Sequence, residues 1–188
     1  MDVSPIEQTA ETSKLIEIPK KLIRPFARAI RQSIDPQLEL IDSSLAKLND
    51  PKKESIKKNF QRITDTLNSL ERAKQVKIST DERDDNFRFS EETEQEDFKP
   101  EEVMISHSTF PMLTKFMSAF RHNIGSPLQI AMGKAQGIQS QEGKNISNAF
   151  SQIIEIMGPF TNTQSQVDIK EIIITTDPNG NMTISPIL

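Results

Sequence analysis

From Pro19 onward, apolar positions recur three or four residues apart, at Leu22, Ile23, Phe26, Ile30, Ile34, Leu38, Ile41, Leu45 and Leu48. This spacing stacks side chains on one face of an α-helix. Asn49-Asp50-Pro51 interrupts it, with Asp50 suited to cap the next helix and Pro51 to its first position. Ile56, Phe60, Ile63, Leu67 and Leu70 then mark a second helix that fades near Val76. The short connection predicts an antiparallel hairpin. Pro25 falls in the first turn, where proline is tolerated, and Pro36 falls mid-pattern, where a kink is expected.

The same period returns at Leu113, Phe116, Phe120, Ile124, Leu128, Ala131, Ala135 and Ile138. It returns once more at Ile146, Phe150, Ile153, Ile154 and Met157, before Gly158-Pro159 ends it. Beyond Gln164 the period changes to two. Glu171–Thr176 and Asn181–Ile184 flank Asp177-Pro178-Asn179-Gly180, which predicts a β-hairpin. Shifting the chain by about 90 residues lays the first helical pair on the second: Phe26, Ala29, Arg31, Ile34 and Leu38 meet Phe116, Ala119, Arg121, Ile124 and Leu128. Ile56, Phe60 and Ile63 likewise meet Ile146, Phe150 and Ile153. Agreement at core positions across both helices favours an internal duplication.

The expected fold is therefore all-α: two antiparallel helical hairpins forming a four-helix bundle, with a short C-terminal β-hairpin. Residues 1–14 read as a flexible N-terminus, 15–80 as a degenerate hairpin and 81–102 as an acidic linker. Residues 103–164 are the second hairpin and 165–188 the β-hairpin. Each hairpin exposes an apolar side that the other could cover, giving a pseudo-dimer within one chain.

Composition narrows the chemistry. Aromatics make up 5% of the 188 residues, with no Trp, no Tyr and no Cys, and this suits a slim bundle rather than a deep catalytic pocket. The lack of Cys removes disulfides, thiol nucleophiles and thiolate metal sites. No apolar run approaches membrane-spanning length, so a cytoplasmic protein without membrane contact is expected. Residues 14–80 hold fifteen Lys or Arg against eight acids, whereas 81–102 hold three against eleven. A basic helical segment is thus followed by a strip that cannot bury enough surface to offset its ordering entropy. Phe87, Phe89 and Phe98 are the residues of that strip able to touch the bundle.

On the second hairpin His122 lies opposite Phe120 on the helical wheel, so its imidazole should face water. Lys115, Ser118, Gly125, Ser126, Gln129 and Gly133 share that side. Pro127 deprives the Asn123 carbonyl of its helical donor and should bend the helix there. Gly133 and Gly137 each cost a helix roughly 1 kcal/mol relative to Ala, a cost that close approach of another backbone would offset and an early helix end would explain. His107, in ISHSTFP, reads as a loop or cap residue, and Ser106, Ser108 or Thr109 could cap the following helix. Neither histidine has companions at metal-ligand spacing, and no phosphate-cradling glycine loop is present. No cofactor or metal is expected.

The run His122-Asn123-Ile124-Gly125-Ser126-Pro127-Leu128 resembles the H-box of sensor histidine kinases, usually His-Glu-Leu-Arg-Thr-Pro-Leu. The resemblance implies a dimerisation and histidine-phosphotransfer hairpin in which His122 carries the phosphoryl group. Val167-Asp168-Ile169 resembles the stretch opening the family's ATP-binding domain, yet the boxes that bind Mg-ATP are absent, so ATP-dependent kinase activity is not expected. The family's acid after the histidine is replaced by Asn123, which cannot act as a base, and Gln32 stands where the first hairpin would carry the histidine.

The leading expectation is a docking or phosphotransfer module of two-component signalling that meets a response-regulator receiver domain or a histidine kinase. Its chemistry would be histidine phosphotransferase-like at most. His122, Asn123 and Ser126 would be the chemical residues, the latter two orienting the ring or water. Gly125, Gln129, Gly133, Lys115 and Ser118 would form the docking face. An adaptor that keeps the bundle without the chemistry is the second reading. A basic helical bundle that binds nucleic acid through Lys52, Lys53, Lys57, Lys58 and Arg62 is the third. A homodimer is open in each.

Overall fold

The computed structural model describes residues 15–79, 86–92, 102–161 and 169–187. The described chain is mostly helical, with two small antiparallel sheets. Its elements run β1 (Leu15–Glu17), α1 (Lys20–Lys47), α2 (Lys53–Arg72), β2 (Ala73–Ser79) and β3 (Phe87–Glu92). They continue as β4 (Val103–Ser106), α3 (Leu113–Phe120), a π-helical turn (Arg121–Gly125), α4 (Ser126–Gln136), α5 (Gln141–Thr161), β5 (Glu171–Thr176) and β6 (Met182–Ile187). Strand, helical pair and two strands therefore occur twice in the same order. In each sheet the strand after the helical pair is central: the orders are β1-β2-β3 and β4-β5-β6.

The sheets correct the expectation of helices with one C-terminal hairpin. The stretch read as an acidic linker supplies β3, paired antiparallel to β2 with Val76 opposite Phe89 and Ile78 opposite Phe87. Short alternations such as Val76-Lys77-Ile78, with both apolar residues buried, were obscured by the fading helical period beside them. β4 pairs with β5, with Ile105 opposite Ile172, so the β5–β6 hairpin is part of a three-stranded sheet. The expected flexible N-terminus, Phe98 and Val167-Asp168 lie outside the described residues.

The helices pack as the apolar stripes require. α1 lies against α2 and α5, and α4 lies against α5 and α2. The long helix of each half thus has the second helix of the other half as a neighbour. Phe26 sits at the centre, edge-on to Phe116 and Phe120 at 5.1 Å each and to Phe160 at 5.8 Å. Phe26 and Phe116 are the residues that the 90-residue shift superposes, so equivalent positions of the two halves touch. Phe87 is buried and its ring lies 5.6 Å from that of Phe116, which ties β3 to α3.

α1 continues through Pro25 and Pro36. Pro25 is its sixth residue, beyond the first turn. Pro127 has another outcome. It stands at the start of α4, and the turn before it widens to π geometry, with the Ser126 N–H donating to the Arg121 carbonyl. A widened turn is one way for a helix to absorb a missing donor.

Candidate functional site

His122 lies in the π-helical turn, and its side chain is exposed. It forms no hydrogen bond or ion pair with a described residue. Ser126, Gln129 and Gly133 are exposed on the continuation of the same helix, and Lys115 and Ser118 are half-buried on the turns before it.

Gly125 is not part of that face. It is buried, and a Cβ placed on it would stand 3.1 Å from the Thr161 Cβ and 3.3 Å from the Thr161 carbonyl oxygen. Its missing side chain lets α5 approach from inside the fold. The widened turn changes the angular register, so an ideal 100° wheel assigned Gly125 to the wrong side. Gly133 has open space where a Cβ would go, and Gly137 ends α4. An internal close approach therefore explains Gly125, and a helix end explains Gly137.

Asn123 is half-buried, and its side-chain amide donates to the Ala119 carbonyl at 2.8 Å. That bond ties the amide back to the preceding turn of its own helix. His107 is exposed in the turn after β4. The hydroxyls beside it close that turn: the Ser106 N–H donates to Thr109 Oγ1 at 2.8 Å, and the Phe110 N–H donates to the Ser106 carbonyl. Met112 holds the cap position of α3 without a side-chain bond, which corrects the expectation of a Ser or Thr cap.

A groove of about 480 Å³ adjoins the π-helical turn. α2 lines it with Lys58, Gln61, Arg62, Asp65, Thr66 and Ser69, and Phe89 of β3 and Asn123 of the π-helical turn also border it. Lys58 and Arg62 are exposed, and neither pairs with a described acid. The Asp65 carboxylate instead accepts from the Gln61 amide at 2.8 Å. The approach of the basic helix to the π-helical turn was invisible in the sequence, because α2 belongs to the other half of the chain.

Gln32, the counterpart of His122, has different surroundings. The Met182 N–H donates to Gln32 Oε1 at 2.8 Å, and Gln32 Nε2 donates to the Gly180 carbonyl at 3.4 Å. The β5–β6 turn is therefore fastened over this side of α1. Nearby, Arg28 Nε meets Glu71 Oε1 at 3.1 Å, and Arg31 meets Asp35 at 3.4 Å, Glu71 at 3.9 Å and Asn68. The 90-residue shift replaces Asp35 and Glu71 by Gly125 and Thr161, leaving no acid at either place. Accordingly Arg121, the counterpart of Arg31, has a buried Nε without a hydrogen-bond partner among the described residues.

The fastened turn is itself strongly hydrogen-bonded. Asp177 accepts from the Asn179 and Asn181 N–H groups at 2.8 and 2.9 Å and from the Asn181 amide at 2.9 Å, while Gly180 adopts φ +84°. The Asn181 side-chain bond, helped by the backbone bonds, holds the Asp177 carboxyl below its ordinary range. Among the described residues, no group of three or more His, Cys, Asp or Glu is placed to hold a metal ion. No helix among them is long and apolar enough to cross a membrane. No protein-family model, curated protein or solved structure matches the chain.

Proposed function

We propose that the chain is a docking and phosphotransfer module of two-component signalling, built as a duplicated, pseudo-dimeric four-helix bundle whose one histidine-bearing face is that of His122. The observation that carries this reading is the bare imidazole on a π-turn next to Pro127, within the H-box-like sequence and beside a basic groove. π-turns occur disproportionately at functional positions. The repeated element order and the Phe26–Phe116 contact support the duplication.

In the proposed step, the unprotonated ring nitrogen of neutral His122 attacks the phosphorus of a partner's phospho-aspartate. A nitrogen–phosphorus bond forms and the acyl oxygen–phosphorus bond breaks. The aspartate leaves as a carboxylate, and the imidazole releases its other proton to water. No neighbouring acid is needed, since the leaving carboxylate is a weak base. Ser126 and Gln129 lie on the exposed helix that a partner would cover, and Gly133 leaves room for its backbone.

The test uses the full chain mixed with receiver domains carrying radiolabelled phosphate from acetyl phosphate. Acid-labile, base-stable label on the wild type, absent from His122→Ala, is the expected result. Intact binding without label would favour the adaptor reading, to which the amide of Gln32 on the equivalent face gives some weight. A cytoplasmic location follows from this function rather than from the fold.

A further inference from the structure

Asn179-Gly180 is the one Asn-Gly pair in the chain. It lies in the β5–β6 turn, where both residues are exposed. The Asn179 carboxamide forms no hydrogen bond with a described residue, whereas the Asn181 carboxamide donates to Asp177 Oδ2 at 2.9 Å. Glycine has no Cβ to shield its own nitrogen, so the carboxamide carbon of Asn179 has an unhindered nucleophile one residue ahead. The closed turn withholds that nucleophile. The Gly180 N–H donates to the Asp177 carbonyl at 3.0 Å, and the Asn179 N–H donates to Asp177 Oδ1 at 2.8 Å. From α1, Gln32 Nε2 donates to the Gly180 carbonyl and Gln32 Oε1 accepts from the Met182 N–H.

From this arrangement we infer that Asn179 is a site of spontaneous deamidation, and that the Gln32 latch sets its rate by limiting how often the turn opens. In the open turn, the Gly180 nitrogen gives its proton to solvent base and attacks Asn179 Cγ. The new C–N bond closes a succinimide, the Cγ–Nδ2 bond breaks, and ammonia leaves with a proton taken from water. Water then opens the ring at either carbonyl. One opening leaves aspartate, and the other leaves isoaspartate, with the main chain rerouted through the side chain. Opening of the turn is a local equilibrium, so every bond that favours the closed form slows the reaction. The product cannot rebuild the original turn. Its new carboxylate stands beside that of Asp177 and repels it, and the longer isoaspartyl backbone displaces the Gly180 carbonyl from Gln32. Deamidation therefore releases the β5–β6 turn from α1 irreversibly. None of these steps uses His122.

The experiment incubates the full chain in mildly alkaline buffer at physiological temperature. Samples taken over time are digested, and peptide mapping by mass spectrometry separates the aspartyl and isoaspartyl products. Wild type should convert at Asn179 ahead of every other asparagine, and more slowly than the same chain unfolded in urea. Gln32→Ala should accelerate conversion about two- to tenfold, the change expected from losing one or two hydrogen bonds. Asp177→Ala, which removes the acceptor inside the turn, should accelerate it as well. Gly125→Ala, strained at a distance from the turn, should convert at the wild-type rate. Circular dichroism of each variant checks that it has folded. Earlier conversion at another asparagine, or a folded wild type that reacts no more slowly than the unfolded chain, would overturn the inference. Equal rates in wild type and Gln32→Ala, or acceleration in Gly125→Ala matching that in Gln32→Ala, would remove the latch from it.

Discussion

Gly125 and Gly133 show how little a residue type reveals without its surroundings. Gly125→Ala forces a methyl against Thr161 and should cost about 1–3 kcal/mol, as overpacking does. Gly133→Ala meets nothing within 4 Å in a helix and should stabilise by roughly 0.5–1 kcal/mol. Urea midpoints of the two variants should therefore move in opposite directions, and similar shifts would contradict the packing described. Asp177 permits a pH prediction. Its folded-state pKa is depressed by the Asn181 and backbone bonds, so its stabilisation is present above the ordinary carboxylate value and lost as pH falls through the depressed one. Protection of the Asn181 amide against hydrogen exchange should decline on acidification below about pH 4 and lose this pH dependence in Asp177→Ala.

At the scale of elements, the helices were legible because their apolar stripes are long and regular. Phe26, Ile30, Ile34 and Ile41, placed on one stripe from spacing alone, are all buried completely. The strands were harder to read. β1 and β4 are three and four residues long, and β3 sits among charges that argued for a linker. Its partner, β2, follows α2 directly, so no turn separates the two periods. The site was half legible: exposure of His122 followed from the wheel, but the π-turn moved Gly125 inward, and Asn123 bonds to its own helix. The Gln32 latch was illegible because it joins residues 150 positions apart. Gln32→Ala should release the β5–β6 turn, costing about 0.5–1.5 kcal/mol. Faster exchange of the Met182 amide would report it, and unchanged exchange would show that the latch contributes nothing.

For the whole molecule, the Phe26 ring is the joint between halves, since it touches Phe116 and Phe120 from one helix and Phe160 from another. Phe26→Ala should destabilise by about 3–5 kcal/mol, as loss of a buried aromatic does. Both halves should still unfold in one urea transition followed by circular dichroism. Two separate transitions in the wild type would mean that the halves are independent, contrary to the shared aromatic cluster.

The presence of two like-ordered units on one backbone has a consequence for heredity. In a symmetric pair of separate subunits, each coding change appears twice, so an improvement to one flank is also imposed on the other. Here position 32 and position 122 are different codons. A change at one leaves the other as it is, so a clasp at Gln32 and a bare ring at His122 can coexist.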